Sequence, residues 1–268
     1  MNLKGTKKMN HKKMLEMGVD HWSAWRRNSI GTMANFRGVN LAGKKFSQVD
    51  FSQCDFRGSY LYGSIFEDCR FTKTNFSGAN LRCGVFTGSH FNQCEFRSTF
   101  ALHSNWTGCT LNRCDIDQAQ FTGSNFSNAN ILYGYCHEST FHRSKFVDVT
   151  IKGVQIIDCN IHRADFTNAN LVGVHWAGSS LARSTMKDVY VKDNQFCNFI
   201  GDGILWKTIV LDGQYVLITP DEIGFGSQLF SVDELNRLDM FSPISGFWEG
   251  YGELICTIQN YKGPTGKV

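Results

Sequence analysis

Ala34-Asn35-Phe36-Arg37-Gly38-Val39-Asn40-Leu41-Ala42-Gly43 sets a rhythm that the chain keeps as far as Phe196. A bulky apolar residue recurs at every fifth position: Phe36, Leu41, Phe46, Phe51, Phe56, Leu61, Phe66, Phe71 and onward to Met186, Val191 and Phe196. Only Ala101 and Cys136 are less than bulky. A period of five fits neither an α-helix nor a flat strand, so the segment is a repeat architecture. Two residues before each centre stands a small side chain, as at Ala34, Val39, Cys54, Ser59, Ser64 and Cys69. Lys44 and Asn194, near the two ends, are the large exceptions. Asn or Asp often precedes the centre, and glycine often follows it by two, as at Gly38, Gly43, Gly58, Gly63 and Gly78. These residues tolerate tight or left-handed turns. The chain therefore bends every five residues and sends one large and one small side chain inward at each step.

This pattern resembles the pentapeptide-repeat family, whose motif is small–Asn/Asp–Leu/Phe–x–x. The resemblance implies a right-handed quadrilateral β-helix with four pentapeptides, twenty residues, per coil. Centres twenty apart should then stack. Phe46, Phe66, Phe86, Trp106, Phe126, Phe146, Phe166 and Met186 form a column that is aromatic but for its last member. Leu41, Leu61, Leu81, Ala101, Phe121, Phe141, Ile161 and Leu181 form one that is mostly aliphatic. Such sorting suits side chains stacked on their equivalents. About eight coils at roughly 4.8 Å each predict a rod about 40 Å long.

The expected class is all-β dominated, in three parts: an N-terminal helical cap (1–33), the β-helix (34–198) and a small C-terminal α+β module (199–268). A solenoid exposes its core at both ends and needs caps. At the N-terminus a helix from about His11 to Arg27 places Leu15, Val19, Trp22 and Arg26 on one face, with Trp25 beside it. The segment Trp22-Ser23-Ala24-Trp25-Arg26-Arg27 resembles a lead-in of bacterial pentapeptide-repeat proteins and reads as an aromatic lid. Beyond Gly201 the period is lost. Ile204–Leu211 and Gln214–Thr219 read as a hairpin around Asp212-Gly213. Ser231-Val232-Asp233-Glu234 reads as a capping box opening a short helix through about Leu238. A second helix from Ser242 carries Phe247, Trp248, Tyr251, Leu254 and Ile258, a broad apolar stripe expected to bind a partner or a second copy.

The 268 residues carry a net charge of +3 and no apolar run long enough to span a membrane. The basic N-terminus lacks the apolar run of a signal peptide. Most of the ten cysteines occupy repeat slots, where a free thiol packs as a small hydrophobe. Free thiols point to a reducing cytoplasm. No phosphate loop, dinucleotide fingerprint or zinc spacing occurs, and a filled interior leaves no pocket for a catalytic pair. No enzyme activity, metal or cofactor is expected.

Function must therefore lie on the outer walls. On the twenty-residue period Arg143, Arg163 and Arg183 fall in one row, with His142 and His162 in the row beside it. This basic ridge suits an acidic partner, since guanidinium pairs bidentately with carboxylate or phosphate. Arg37, Arg57 and Arg97 form another row, but Asp55, Glu95 and Asp115 run alongside and offset it. Some members of the family protect DNA gyrase or topoisomerase IV, and certain of them mimic duplex DNA. A mimic requires repeating negative charge. Residues 34–196 instead hold 16 lysines and arginines against 13 aspartates and glutamates. The expected function is thus a non-catalytic interaction scaffold, with topoisomerase protection second. Direct nucleic-acid binding is not expected, and the partner protein is left open.

Overall fold

The computed structural model describes residues 11–192, 194–197, 207–211, 214–218, 222–225 and 228–231. Its body is a solenoid of parallel strands and bridges, each paired with the segment twenty residues away. On one wall the register runs Asp115, Tyr135, Gln155, His175, Gln195. On another it runs Arg70, His90, Thr110, Asn130, Thr150, Asn170, Tyr190. Asn40, Tyr60, Asn80, Phe100, Gln120, Thr140, Asn160 and Ser180 step up a third, and Ile65, Val85, Asn105, Asn125, Lys145, Asp165 and Thr185 up the fourth. Four walls at twenty residues per circuit is the winding expected from the repeat. About seven complete turns are described. The sequence expectation for residues 34–198 was about eight coils, one more than this.

Every centre from Phe36 to Leu181 is buried except Ile131, which is half-buried. The aromatic column stacks as its sequence sorting suggested: neighbouring centroids from Phe46 to Phe166 lie 4.3–5.9 Å apart. Phe36, Phe56, Phe76 and Phe96 form a second stack at 4.9–5.4 Å. Offset stacking of this kind adds to the stabilisation from burial.

The corners explain the glycines. From Gly38 to Asp188 the second residue after each centre is left-handed, with φ between +46° and +69°. Glycine adopts this region without penalty, whereas a side chain there costs about 1 kcal/mol or more. Many corners nevertheless carry other residues, including Arg143, Arg163 and Arg183.

At several of the small inward positions the side chain has a polar role that size alone did not show. There a hydroxyl or thiol donates to the carbonyl of a centre in the preceding coil. Thr74 Oγ1 reaches Phe51 O at 2.9 Å, Ser89 Oγ reaches Phe66 O at 2.8 Å and Ser144 Oγ reaches Phe121 O at 2.8 Å. Cys94 and Cys109 do the same toward Phe71 and Phe86. Asn194 is buried and bonds the preceding coil twice: Oδ1 accepts from Val174 N and Nδ2 donates to Leu171 O. Lys44, the other large residue in this position, stays exposed. Ser144→Ala should therefore cost about 0.5–1.5 kcal/mol, because the Phe121 carbonyl loses this partner but keeps the Ser124 amide. Urea denaturation checks this, and a loss within error of zero would contradict it.

The N-terminal cap differs from the single helix expected. It is two helices, α1 (His11–Glu16) and α2 (Val19–Asn28), separated at Gly18 with φ 119°. The break shifts the helical phase, so Val19 is exposed while Leu15, Trp22 and Arg26 are buried. Trp22 lies on the rings of Phe36 and Phe51 at 5.4 and 5.8 Å and donates from Nε1 to Asp50 O. Arg26, 8% exposed, faces the Trp22 and Trp25 rings at 4.9 and 4.8 Å and donates to Thr32 O and Cys54 Sγ. The aromatic lid on the first coil is therefore present.

At the other end Lys207–Leu211 and Gln214–Ile218 pair antiparallel, as the Asp-Gly turn predicted. Two strands absent from the sequence reading, Glu222–Phe225 and Gln228–Ser231, continue the meander. Ser231, expected to cap a helix, is instead the last residue of a strand. The short, glycine-containing Glu222–Phe225 is weak as a strand in isolation and is completed by its neighbours. The rest of the expected helix through Leu238, and the helix from Ser242, lie outside the described residues.

Candidate interaction surface

Arg143, Arg163 and Arg183 occupy the same corner in three successive coils, and all three are exposed. Backbone bonds fix their spacing: Arg143 N donates to His162 O and Arg163 N to Ala182 O, each at 2.9 Å. The rise per coil is the strand separation, about 4.8 Å. His142 and His162 stand on the adjacent wall. His162 Nε2 is 2.6 Å from Ser180 Oγ. Partial burial, then the charges of Arg143 and Arg163 and the nearby His162, hold His142 below the usual histidine range.

None of the ion pairs among the described residues involves these three arginines. The other arginine row behaves differently. Arg57 grips both oxygens of Asp55 at 2.8 and 2.6 Å, and Arg37 approaches the same carboxylate at 3.9 Å. Burial alone would raise Asp55, but the hydrogen bonds and charge of Arg57, with the charge of Arg37, bring it below the usual carboxylate range. Arg97 pairs with Asp117 at 3.1 Å rather than with Glu95 or Asp115. Asp117 also meets His137 Nδ1 at 2.9 Å, and this contact holds His137 above the usual range.

One surface feature had no part in the sequence reading. Tyr60, Tyr62 and Phe100 are 58%, 53% and 44% exposed. They lie on the wall that also carries His142 and His162, toward its N-terminal end. Each looks unremarkable in its own pentapeptide, and only the twenty-residue winding brings them onto one wall.

The interior offers little room. An apolar void of about 30 Å³ lies where Gly134, Cys136, Ile131 and Ile156 replace the aromatic filling. That is about the volume of one water molecule in the liquid. Cys136 and Cys159 are buried beside each other with their sulfurs 3.4 Å apart. Burial pushes the Cys69 thiol up to about 11 and the Cys109 thiol up to about 12. No group of three or more His, Cys, Asp or Glu suited to a metal occurs among the described residues. Among the described residues no helix is long and apolar enough to cross a membrane. The expected partner surface at Phe247, Trp248, Tyr251, Leu254 and Ile258 lies outside the described residues.

The winding, the filled core and the flat walls define a β-solenoid protein of the pentapeptide type. The family pattern described as "Pentapeptide repeat region" matches residues 44–121 and 119–196, and the chain belongs to this family. Among solved structures it is similar to a trypsin-treated form of QnrB1, described as a plasmid-mediated fluoroquinolone resistance protein. That match has 21% identity and a TM-score of 0.50, and covers 63% of this chain and 90% of that one. It is also similar to HetL, a pentapeptide repeat protein involved in heterocyst differentiation regulation, from the cyanobacterium Nostoc sp. strain PCC 7120. There the identity is 14% and the TM-score 0.25, with 69% and 96% of the two chains covered. No curated protein sequence matches the chain.

Proposed function

We propose that this protein is a rigid, non-catalytic interaction scaffold that presents the Arg143–Arg163–Arg183 ridge to an acidic protein partner. The observation that carries the reading is the contrast between the two arginine rows. Arg57 and Arg97 are neutralised by Asp55 and Asp117, whereas the ridge arginines form no ion pair among the described residues. The ridge corners also tolerate glycine, which occurs in the same row at Gly43, Gly63 and Gly123. Three consecutive arginines there accept left-handed strain that glycine would avoid. A surface held by backbone bonds loses little freedom on binding, so contact energy is not spent on ordering it. The free cysteines favour a reducing, cytoplasmic setting.

The test is affinity purification with full-length tagged protein against the R143E/R163E/R183E variant. A specific partner should be retained by the parent and reduced at least about tenfold by the charge reversal. Equal retention by both proteins would end the proposal. The same preparation should fail to protect DNA gyrase supercoiling from a quinolone, because a net charge of +3 is opposite to that of a duplex mimic. Protection in that assay would install the topoisomerase reading instead.

A further inference from the structure

We infer that the wall running from Tyr60 to Ser180 docks an amphipathic α-helix whose one end is acidic and whose other end is apolar. The inference rests on the scaffold reading above and names the partner's form. Two independent features of the wall support it: the charge at its C-terminal end and the aromatic surface at its N-terminal end.

The spacing selects a helix. Three arginines one coil apart span about 9.6 Å. Carboxylates at i, i+4 and i+7 of an α-helix span about 10.5 Å at 1.5 Å per residue. The difference falls within the reach of a flexible arginine side chain. Alternate residues of an extended strand are about 6.7 Å apart, so three carboxylates would span about 13 Å and drift out of register. Successive phosphates on one strand of a duplex advance by about 3.4 Å along its axis, which gives about 7 Å for three and matches less well. Guanidinium also pairs with carboxylate in a bidentate fork, which rewards register.

The same helix continues over the apolar end. Phe100 lies two coils before Thr140, and Tyr60 two coils before Phe100, in a single bridged row. Tyr62 stands beside Tyr60 in the same coil and half-buried Leu102 beside Phe100, while the coil between them carries half-buried Asn80 and exposed Arg82. From Tyr60 to Ser180 the wall is six coils long, about 29 Å, which corresponds to about 19 residues of helix. Exposed tyrosine and phenylalanine on a flat, preordered wall are the residue types that anchor helix-in-groove and related interfaces. An acidic N-terminal half suits the partner helix itself, since its dipole favours carboxylates there.

The experiment uses the full-length protein and a synthetic helical peptide of about 20 residues. It carries glutamates at i, i+4 and i+7 and leucines at i+11, i+14 and i+18, all on one face. A control of the same composition distributes those residues around the helix. Fluorescence anisotropy should show the patterned peptide binding at least about tenfold more tightly than the control. R143E/R163E/R183E should weaken it at least about tenfold, and Tyr60→Ser with Phe100→Ser at least about fivefold. Circular dichroism should show that the variants keep the parent spectrum. Equal binding of the two peptides, or no effect of either variant, overturns the inference. So does tighter binding of a 20-nucleotide single strand or a 20-base-pair duplex. If the peptides fail while the ridge variant still loses its partner in affinity purification, the scaffold stands and only the helical partner is wrong.

Discussion

Trp106→Ala should lower the unfolding free energy by about 3–5 kcal/mol, the range for deleting a large buried aromatic. Trp106 is fully buried in the middle of the rod. Its ring stacks on Phe86 at 4.3 Å and on Phe126 at 5.9 Å, and meets Phe91, Phe96 and Phe121 at 5.1–5.7 Å. Its Nε1 donates to Ser104 Oγ at 2.6 Å. Ala101, the smallest residue at any centre, is in the same coil. The walls around it are held by backbone hydrogen bonds, so the site cannot collapse to recover the lost contacts. In a solenoid each coil touches only its neighbours, so a defect here weakens the coupling between two halves of the rod. Urea denaturation should show the full loss, with broadening of the transition. A loss below about 1.5 kcal/mol would show that the coil frame relaxes around the gap.

Trp22→Ala should also remove about 3–5 kcal/mol of local interaction, but with a different outcome. Trp22 covers Phe36 and Phe51 at the open end of the solenoid. It also forms one side of the aromatic pair against which Arg26 is held. Removing it should fray the first coil while the remaining coils stay folded, since stability in a linear array is local. Hydrogen exchange should then accelerate at the Phe36 amide, which donates to Asp55 O. The Phe146 amide, which donates to Asp165 O, should stay protected. Uniform loss of protection along the rod would refute the cap's local role. Exposed strand edges at the frayed end should also promote self-association, detectable by light scattering.

The two tryptophans show where sequence reasoning reached and where it stopped. Trp106 falls on the period of five, and the twenty-residue coil implied by the family resemblance assigns its column. Trp22 reads from the sequence as part of a lid, yet the helical pattern that carries it runs through Gly18. A lone glycine within a helical pattern is tolerated in many helices, and only the folded chain shows its φ of 119°. The hydrogen-bonding role of Ser89, Ser144 and Asn194 was equally hidden. Each bonds a carbonyl 23 residues away, a distance at which no local pattern is visible.

Periodicity determined which side chains are buried, and the twenty-residue coil implied by the family resemblance then put Arg143, Arg163 and Arg183 in one row. Tertiary structure decided which charges remain unpaired. Arg57 and Arg97 meet their carboxylates while, among the described residues, the ridge arginines meet none, and that depends on distances of a few ångströms between side chains on a wall. It also decided that Tyr60, Tyr62 and Phe100 share a surface with the ridge. Burial is dictated by a strong, repeated hydrophobic signal. Exposure and pairing on the outer walls depend on weak individual choices that become meaningful only once the coils are stacked.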